Sequence, residues 1–288
     1  MEVGAPDLAL AESAESALLQ ELEAYPKPGL VSPRDSGAHS DMDYVLMCRS
    51  AHALRQPFAG IAAAGREAGA FETSLIPLGL AAEREMLRAT AGVNTHRGAV
   101  FTLGMLIAAM ARAEAVARPA SPDSIRAMLL ETWGDALQAH AASDLSASSH
   151  GAIVYQTTGA GGARAEAARG FPRIFETGIP VYQEALASGL DSNAARIHTL
   201  FALMESAEDS NLIFRGGPEA AAFVRQAASD FLAAGGCHSG GWFLRAEALH
   251  RTFIERNLSP GGCADLLSGT LLVAGYQAAR ICSASRPA

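Results

Sequence analysis

The sequence predicts an all-α fold, a single multi-helix domain over residues 1–288 with functional loops between the helices. Three observations predict it. Apolar residues recur at helical spacing through most of the chain. Glycine, proline, serine and asparagine gather in short polar segments that separate these stretches. Strand patterning is poor: the best candidate, Ala152-Ile153-Val154-Tyr155, is too short to build a sheet. No fixed-period repeat or low-complexity linker divides the chain. Ala117 to Pro122 is the most linker-like stretch, but the helices on both sides look equally core-forming.

The elements follow in order. Leu8, Ala11, Ala14, Leu18, Leu19 and Leu22 form one apolar face. Val45, Leu46, Cys48, Arg49 and His52 belong to a second helix. Ala99 to Arg112 is a third, apolar almost all round, as a buried helix is. Asp123 to His140 is a fourth, with Ser121-Pro122 as its start. Ile197, Leu200, Phe201, Leu203 and Met204 mark another. Pro218 to Ala234 is amphipathic and stops at Gly235-Gly236, a C-cap signal. Ala264 to Ile281 closes the chain, with Ser259-Pro260 as cap and first turn.

Composition narrows the function classes. The chain is 49% hydrophobic and 18% charged, enough to bury a sizeable core. A net charge of -8 argues against sequence-independent binding of nucleic acid, which needs a basic face. Met1 to Leu10 has neither the basic nor the apolar region of an export signal. The longest apolar run, Ala99 to Ala111, is too short to span a bilayer, so no membrane partner is expected. Cys48, Cys237, Cys263 and Cys282 lack CxxC spacing and read as reduced thiols of a cytoplasmic protein. The oligomeric state is open, with room for a homo-oligomer.

Lys27 is the only lysine among 22 basic side chains, in Tyr25-Pro26-Lys27-Pro28-Gly29. Arginine offers a planar fork, lysine a compact point charge with three donors. A lysine kept between two prolines is a candidate phosphate contact, or simply the survivor of a rigid turn. Gly37 then leads into His39, Asp41 and Asp43, three metal-binding or proton-transfer groups within five residues. Carboxylates with waters and nucleotide phosphates are the usual surroundings of Mg²⁺. The structural alternative is a helix start near Asp41 capped by Ser40, with Asp43 at its third position.

Four later segments carry further candidates. Gly92-Val93-Asn94-Thr95-His96-Arg97-Gly98 precedes the apolar third helix, whose first amides suit an anion. Asn94, Thr95, His96 and Arg97 add donors there, or one of the first two caps the helix. Gly159-Ala160-Gly161-Gly162-Ala163-Arg164-Ala165-Glu166 is Gly-rich but lacks the ending of a P-loop, and a solvated Arg164–Glu166 pair is its bland reading. Asp209 and Asn211 could form a Mg²⁺-water shell, with Arg215 as a phosphate partner. Asp265 enters the first turn of the last helix, where an acid is favourable with or without a ligand.

Together these segments resemble one family, the triphosphoribosyl-dephospho-CoA synthases. The resemblance rests on Pro-Lys-Pro-Gly-Leu-Val, Gly-Ala-His-Ser-Asp-Met-Asp, Gly-Val-Asn-Thr-His-Arg-Gly and Asn-Leu-Ser-Pro-Gly-Gly-Cys-Ala-Asp-Leu-Leu, with looser matches at Gly-Ala-Arg-Ala-Glu and Asp-Ser-Asn. Arg97 stands where citrate-lyase-associated members tend to have lysine. Ala163 and Ala165 replace the Arg and Gly expected beside Arg164, and Asp-Ser-Asn replaces Asp-Thr-Asn. These departures resemble the malonate-decarboxylase-associated branch.

The resemblance implies an all-α enzyme that moves the 5-triphosphoribosyl group of ATP to the ribose 2′-hydroxyl of 3′-dephospho-CoA and releases adenine. The product is the prosthetic-group precursor of an acyl carrier subunit, attached there by a separate transferase. Lys27, Arg97, Arg164 and Arg215, with Mg²⁺, suit the triphosphate. Asp41, Asp43, Asp209 and Asn211 are metal candidates, and His39 or Asp41 is the base. Two other readings predict different chemistry. One is a Mg²⁺-dependent hydrolase of nucleotides or ADP-ribosyl groups. The other is a non-catalytic helical assembly factor.

Overall fold

The computed structural model describes residues 2–142, 162–206 and 210–284, with backbone alone over 210–216 and 281–284. Every element among them is helical and no strand is present. The Ala152–Tyr155 segment, Gly159 to Gly161 of the Gly-rich loop and Asp209 lie outside the described residues, as do the side chains of Asn211, Arg215 and Cys282.

The first half runs α1 (Ala5–Glu23), α2 (Tyr44–Ala53), α3 (Arg55–Arg66), α4 (Ile76–Ala89), α5 (Arg97–Ala115) and α6 (Pro122–Ala142). The second half runs α7 (Gly162–Ala168), α8 (Ile179–Ala187), α9 (Ser192–Ser206), α10 (Ser210–Ala233), α11 (Trp242–Glu255) and α12 (Gly261–Ala284). Short π-helical turns, Phe71–Leu75 and Arg173–Gly178, feed α4 and α8. The periodicity anticipated α1, α2, α5, α6, α9, α12 and the second part of α10. Gly217 leaves helical geometry (φ 70°, ψ -173°), so α10 bends where proline follows and the sequence has its break.

α5 is the axis of the fold. It packs on α1, α3, α4, α6, α7 and α12, and Leu103, Leu106, Ile107 and Met110 are fully enclosed. Each such side chain contributes about 1.5–3 kcal/mol on burial. By length and composition α5 could cross a membrane, but 72% of its apolar window is buried against other helices. Arg66 fastens three helices at one end, donating to Asp7 of α1 (2.8 Å) and Glu114 of α5 (2.9 Å). At the other end of α5 its first turn meets α12 and the long loop from Ala24 to Asp43. That junction holds the site.

Candidate active site

The loop after α1 is an ordered structure. Its Tyr25-Pro26 peptide is cis. The amide of Leu30 donates to the Lys27 carbonyl and that of Ala38 to the Gly29 carbonyl, so the chain doubles back on itself. His250 of α11 seats it: Nδ1 lies 2.6 Å from the Lys27 carbonyl, and Nε2 lies 3.0 Å from Asp35. Gly29 has φ +68°, and any Cβ there would run into the Leu258 carbonyl. The loop and the turn before α12 therefore touch backbone to backbone, and only glycine allows it.

Lys27 is 1% exposed. Its ammonium donates to the Glu21 carboxylate (2.6 Å) and to the Glu21 carbonyl (2.7 Å), leaving one proton for a pocket ligand. Burial pushes its pKa below the ordinary lysine value, and the Glu21 carboxylate pulls it part of the way back. Glu21 was absent from the sequence-based candidates. A signal existed: a lone carboxylate inside the Leu18–Leu22 apolar stripe.

Lys27 and Glu21 lie in the wall of a cavity of about 140 Å³ whose other walls come from His39, Asn94 to Gly98 and Asp265. A shallower groove of about 360 Å³, lined by Asp41, Asp43 and Arg49, shares Met42 with it. Ligand pockets are commonly about 300–1,000 Å³, a range that the groove reaches and the cavity alone does not.

The residues of the His39 motif separate into different roles. His39 Nε2 lies 2.8 Å from the hydroxyl of Ser259, a buried residue of the turn before α12, and Nδ1 faces Asp41 at 3.6 Å. Asp41 is largely exposed, with 60% of its side chain open to solvent. Asp43, rather than Ser40, is the N-cap of α2, accepting the Leu46 amide at 2.8 Å. The helix starts three residues later than the sequence suggests, so the capping role falls to Asp43 itself.

At the start of α5 the N-cap is His96, not Asn94 or Thr95, and Asn94 accepts the Arg97 amide (3.3 Å) from the turn before it. Arg97 pairs with Glu83 of α4 at 3.1 Å. Thr95 and His96 turn inward to Ser50 of α2: Thr95 donates to the Ser50 hydroxyl, which lies 2.7 Å from His96 Nδ1. His96 Nε2 is buried without a hydrogen-bond partner among the described residues. Burial, and next the Lys27 ammonium, push the His96 imidazole down to about 4, so it is neutral at pH 7. Ser50, like Ser259, was missed; a serine on a helix face looks the same whether it meets solvent or a histidine.

Asp265 faces the first turn of α5, whose free amides favour an anion. A Cβ on Gly98 would collide with its carboxylate. We expect Gly98→Ala to lower turnover about 100-fold by displacing Asp265, since a 1 Å misplacement can cost that much. The melting temperature should move by only a few degrees, because α5 itself tolerates alanine. Steady-state kinetics beside a thermal melt checks this.

Arg164 and Glu166 lie on α7 and do not line the cavity. Glu166 is buried and accepts from Arg173, at 3.0 Å from its amide and 2.9 Å from its guanidinium. It is a structural partner of the Arg173 turn rather than of Arg164. Arg164 is half-buried. Burial lowers its pKa and Glu83 opposes this, so it and Arg97 flank the same carboxylate beyond the cavity rim.

No three His, Cys, Asp or Glu side chains among the described residues converge as a metal cage. Mg²⁺ keeps several waters and is usually held by one or two carboxylates plus substrate phosphates. Asp265 lines the cavity, whereas Asp41 and Asp43 line the outer groove.

Helices and loops of this bundle bring Glu21, Lys27, His39, Arg97 and Asp265 to one pocket, a convergence of charged and titratable side chains that marks an enzyme's active site. Residues 7–282 match the family described as ATP:dephospho-CoA triphosphoribosyl transferase, and the chain belongs to that family. It is 41% identical over 268 residues to a probable 2-(5″-triphosphoribosyl)-3′-dephosphocoenzyme-A synthase of Stutzerimonas stutzeri, covering 92% of this chain and 90% of the relative. To the protein with the same description from Acinetobacter calcoaceticus it is 36% identical over 90% of this chain and 88% of the relative. The 2-(5″-triphosphoribosyl)-3′-dephosphocoenzyme-A synthase of Escherichia fergusonii is 35% identical over 93% of this chain and 90% of its own length. No solved structure matches the chain.

Proposed function

We propose that this enzyme transfers the 5-triphosphoribosyl group of ATP to the ribose 2′-hydroxyl of 3′-dephospho-CoA. The observation that supports it most is the convergence on one cavity of Lys27, His39, the Asn94–Gly98 segment and Asp265, which come from distant parts of the chain. The C1′–N9 bond of ATP breaks and a C1′–O2′ bond forms. The hydroxyl loses its proton, and adenine gains one overall. Attack at an anomeric carbon passes through an oxocarbenium-like state, so the enzyme must hold two substrates aligned and neutralise a triphosphate it does not cleave.

His39 is the base in this reading. It lines the cavity, whereas Asp41 lines the outer groove and faces His39 Nδ1. Ser259, 2.8 Å from Nε2, orients the ring. Lys27 and Arg97 receive phosphate oxygens, with Arg164 and Arg215 as further candidate partners. Asp41, Asp209, Asn211 and Asp265, with the Asp43 oxygen not used by the α2 cap, would hold Mg²⁺, which would offset the triphosphate charge.

The product would be the prosthetic-group precursor of an acyl carrier subunit, attached by a separate transferase. Arg97, Ala163, Ala165 and Ser210 favour the malonate decarboxylase branch over the citrate lyase one. The thiols of Cys48, Cys237 and Cys263, none of them in a disulfide, suit the cytoplasm.

The test is incubation with ATP, Mg²⁺ and 3′-dephospho-CoA, followed by mass spectrometry. Free adenine together with the triphosphoribosylated adduct is expected. Adenine or cleaved phosphate without the adduct would assign a hydrolase instead. No turnover by folded protein would favour the assembly factor.

Asp41→Asn should abolish most turnover with little change in melting temperature, because the side chain is exposed and caps nothing. Asp43→Ala should instead cost about 1 kcal/mol of stability through loss of the α2 cap. A large drop in melting temperature for Asp41→Asn would contradict this division.

A further inference from the structure

Nothing in the transfer as derived above uses the buried hydroxyl chain Thr95–Ser50–His96 or the open nitrogen at its end. His96 is 4% exposed and lies in the cavity wall beside Lys27. Ser50 is fully buried. Thr95 donates to Ser50 (2.7 Å), so the Ser50 proton is free to go to His96 Nδ1, also 2.7 Å away. A neutral imidazole has one ring proton, and in the tautomer in which Nδ1 accepts from Ser50 that proton sits on Nε2. That N–H has no acceptor among the described residues. A buried donor left unpaired costs about 1–3 kcal/mol, a cost removed when a ligand supplies the acceptor.

The chemistry of the donor selects the acceptor. With its proton already on Nε2, the ring has no lone pair there to take the proton of the 2′-hydroxyl. Phosphate oxygens are better matched by the neighbouring charges of Lys27 and Arg97. What remains is a neutral acceptor that becomes anionic during the reaction, and the purine of ATP is one. As C1′–N9 breaks, its electron pair moves into the purine ring, and a donor at a ring nitrogen gains strength in step with the bond breaking. A neutral imidazole with a lowered pKa is a known kind of electrophile for this purpose.

We propose that His96 is a catalytic residue of the transfer, donating its Nε2–H to a ring nitrogen of the departing adenine, with Ser50 and Thr95 as positioning residues that fix the donating tautomer. The hydrogen bond strengthens without the proton leaving His96, and the released adenine takes its proton from solvent. The proposal rests on the transferase reading above.

The experiment compares ATP, 7-deaza-ATP and 3-deaza-ATP, each analogue lacking one ring-nitrogen acceptor, in wild type, His96→Ala and His96→Gln. Wild type should lose roughly 30–300-fold in kcat with the analogue that lacks the contacted nitrogen. His96→Ala should lose a similar factor with ATP and little more with that analogue. The intrinsic change in leaving-group ability is common to both enzymes and cancels in the comparison. His96→Gln, which keeps an amide donor of similar size, should recover part of the rate and of the discrimination, and it serves if the alanine variant does not fold. The proposal is overturned if wild type is indifferent to both analogues, or if the folded variants discriminate between them as wild type does. Adduct formation from ATP by wild type tests the transferase reading separately: its absence ends both, while its presence with unchanged discrimination ends only the role of His96.

Discussion

Lys27→Met should destabilise the protein by about 3–5 kcal/mol, the usual cost of stranding one member of a buried ion pair. Glu21 would be left as a carboxylate 4% exposed without its cation. Adding Glu21→Leu should return most of the loss, because an apolar pair of similar volume is often as stable as the buried ions it replaces. The two single variants and the double variant form a cycle, read by urea denaturation, and strong non-additivity is expected. Lys27→Arg should also fold less well than wild type, since a guanidinium is larger than the space around an ammonium bonded twice to Glu21. The double variant then separates the two roles of Lys27. If it folds and does not use ATP, the third ammonium proton serves the ligand. If it folds and turns over normally, Lys27 is structural.

Gly29→Ala is expected to be the most damaging single methyl in the chain. Its φ of +68° costs a residue with a Cβ about 1–2 kcal/mol. The added methyl would also press on the Leu258 carbonyl and lie 3.1 Å from the Phe253 Cβ, both in rigid surroundings, at a further cost of about 1–3 kcal/mol. Relief requires the loop to back away from α11 and the turn before α12. Such movement would loosen the Gly29 amide from His250 and draw His39 from Ser259. Turnover should therefore fall far more than stability alone explains. Trp133→Phe is a suitable control: it removes a hydrogen bond to Gly69 at the α6 side of the core and leaves the loop untouched. Both variants would be compared by thermal melts and by adenine release at a temperature where each is folded. Near-normal release by folded Gly29→Ala would mean that the loop does not build the cavity.

Several parts of this structure could be read directly from the order of residues, because their causes are local. The apolar stripe of α1, the all-round apolarity of α5 and the proline and glycine breaks all act within a few residues of themselves. The short second-half helices α7 and α8 were harder to read. They lean on the π-helical turn Arg173–Gly178 and on Glu166 accepting from Arg173, contacts that no periodicity encodes. The candidate residues were legible as types: a lone lysine between prolines, histidine and acids after glycine, donors before a buried helix. Their partners were not. Ser259 lies 220 residues from His39, and Ser50 lies 46 from His96.

Residue order sets the helical class, the position of most helices and the segments that carry the candidate residues, since backbone preference and hydrophobic period are properties of short stretches. Only the tertiary structure decided which of those residues face one another. It paired Lys27 with Glu21, turned Asp43 into a cap, sent Glu166 to Arg173 and left His96 Nε2 without a partner among the described residues. The physical reason is that hydrogen bonds and ion pairs form wherever packing brings groups within about 3 Å, and packing is settled by the whole core at once.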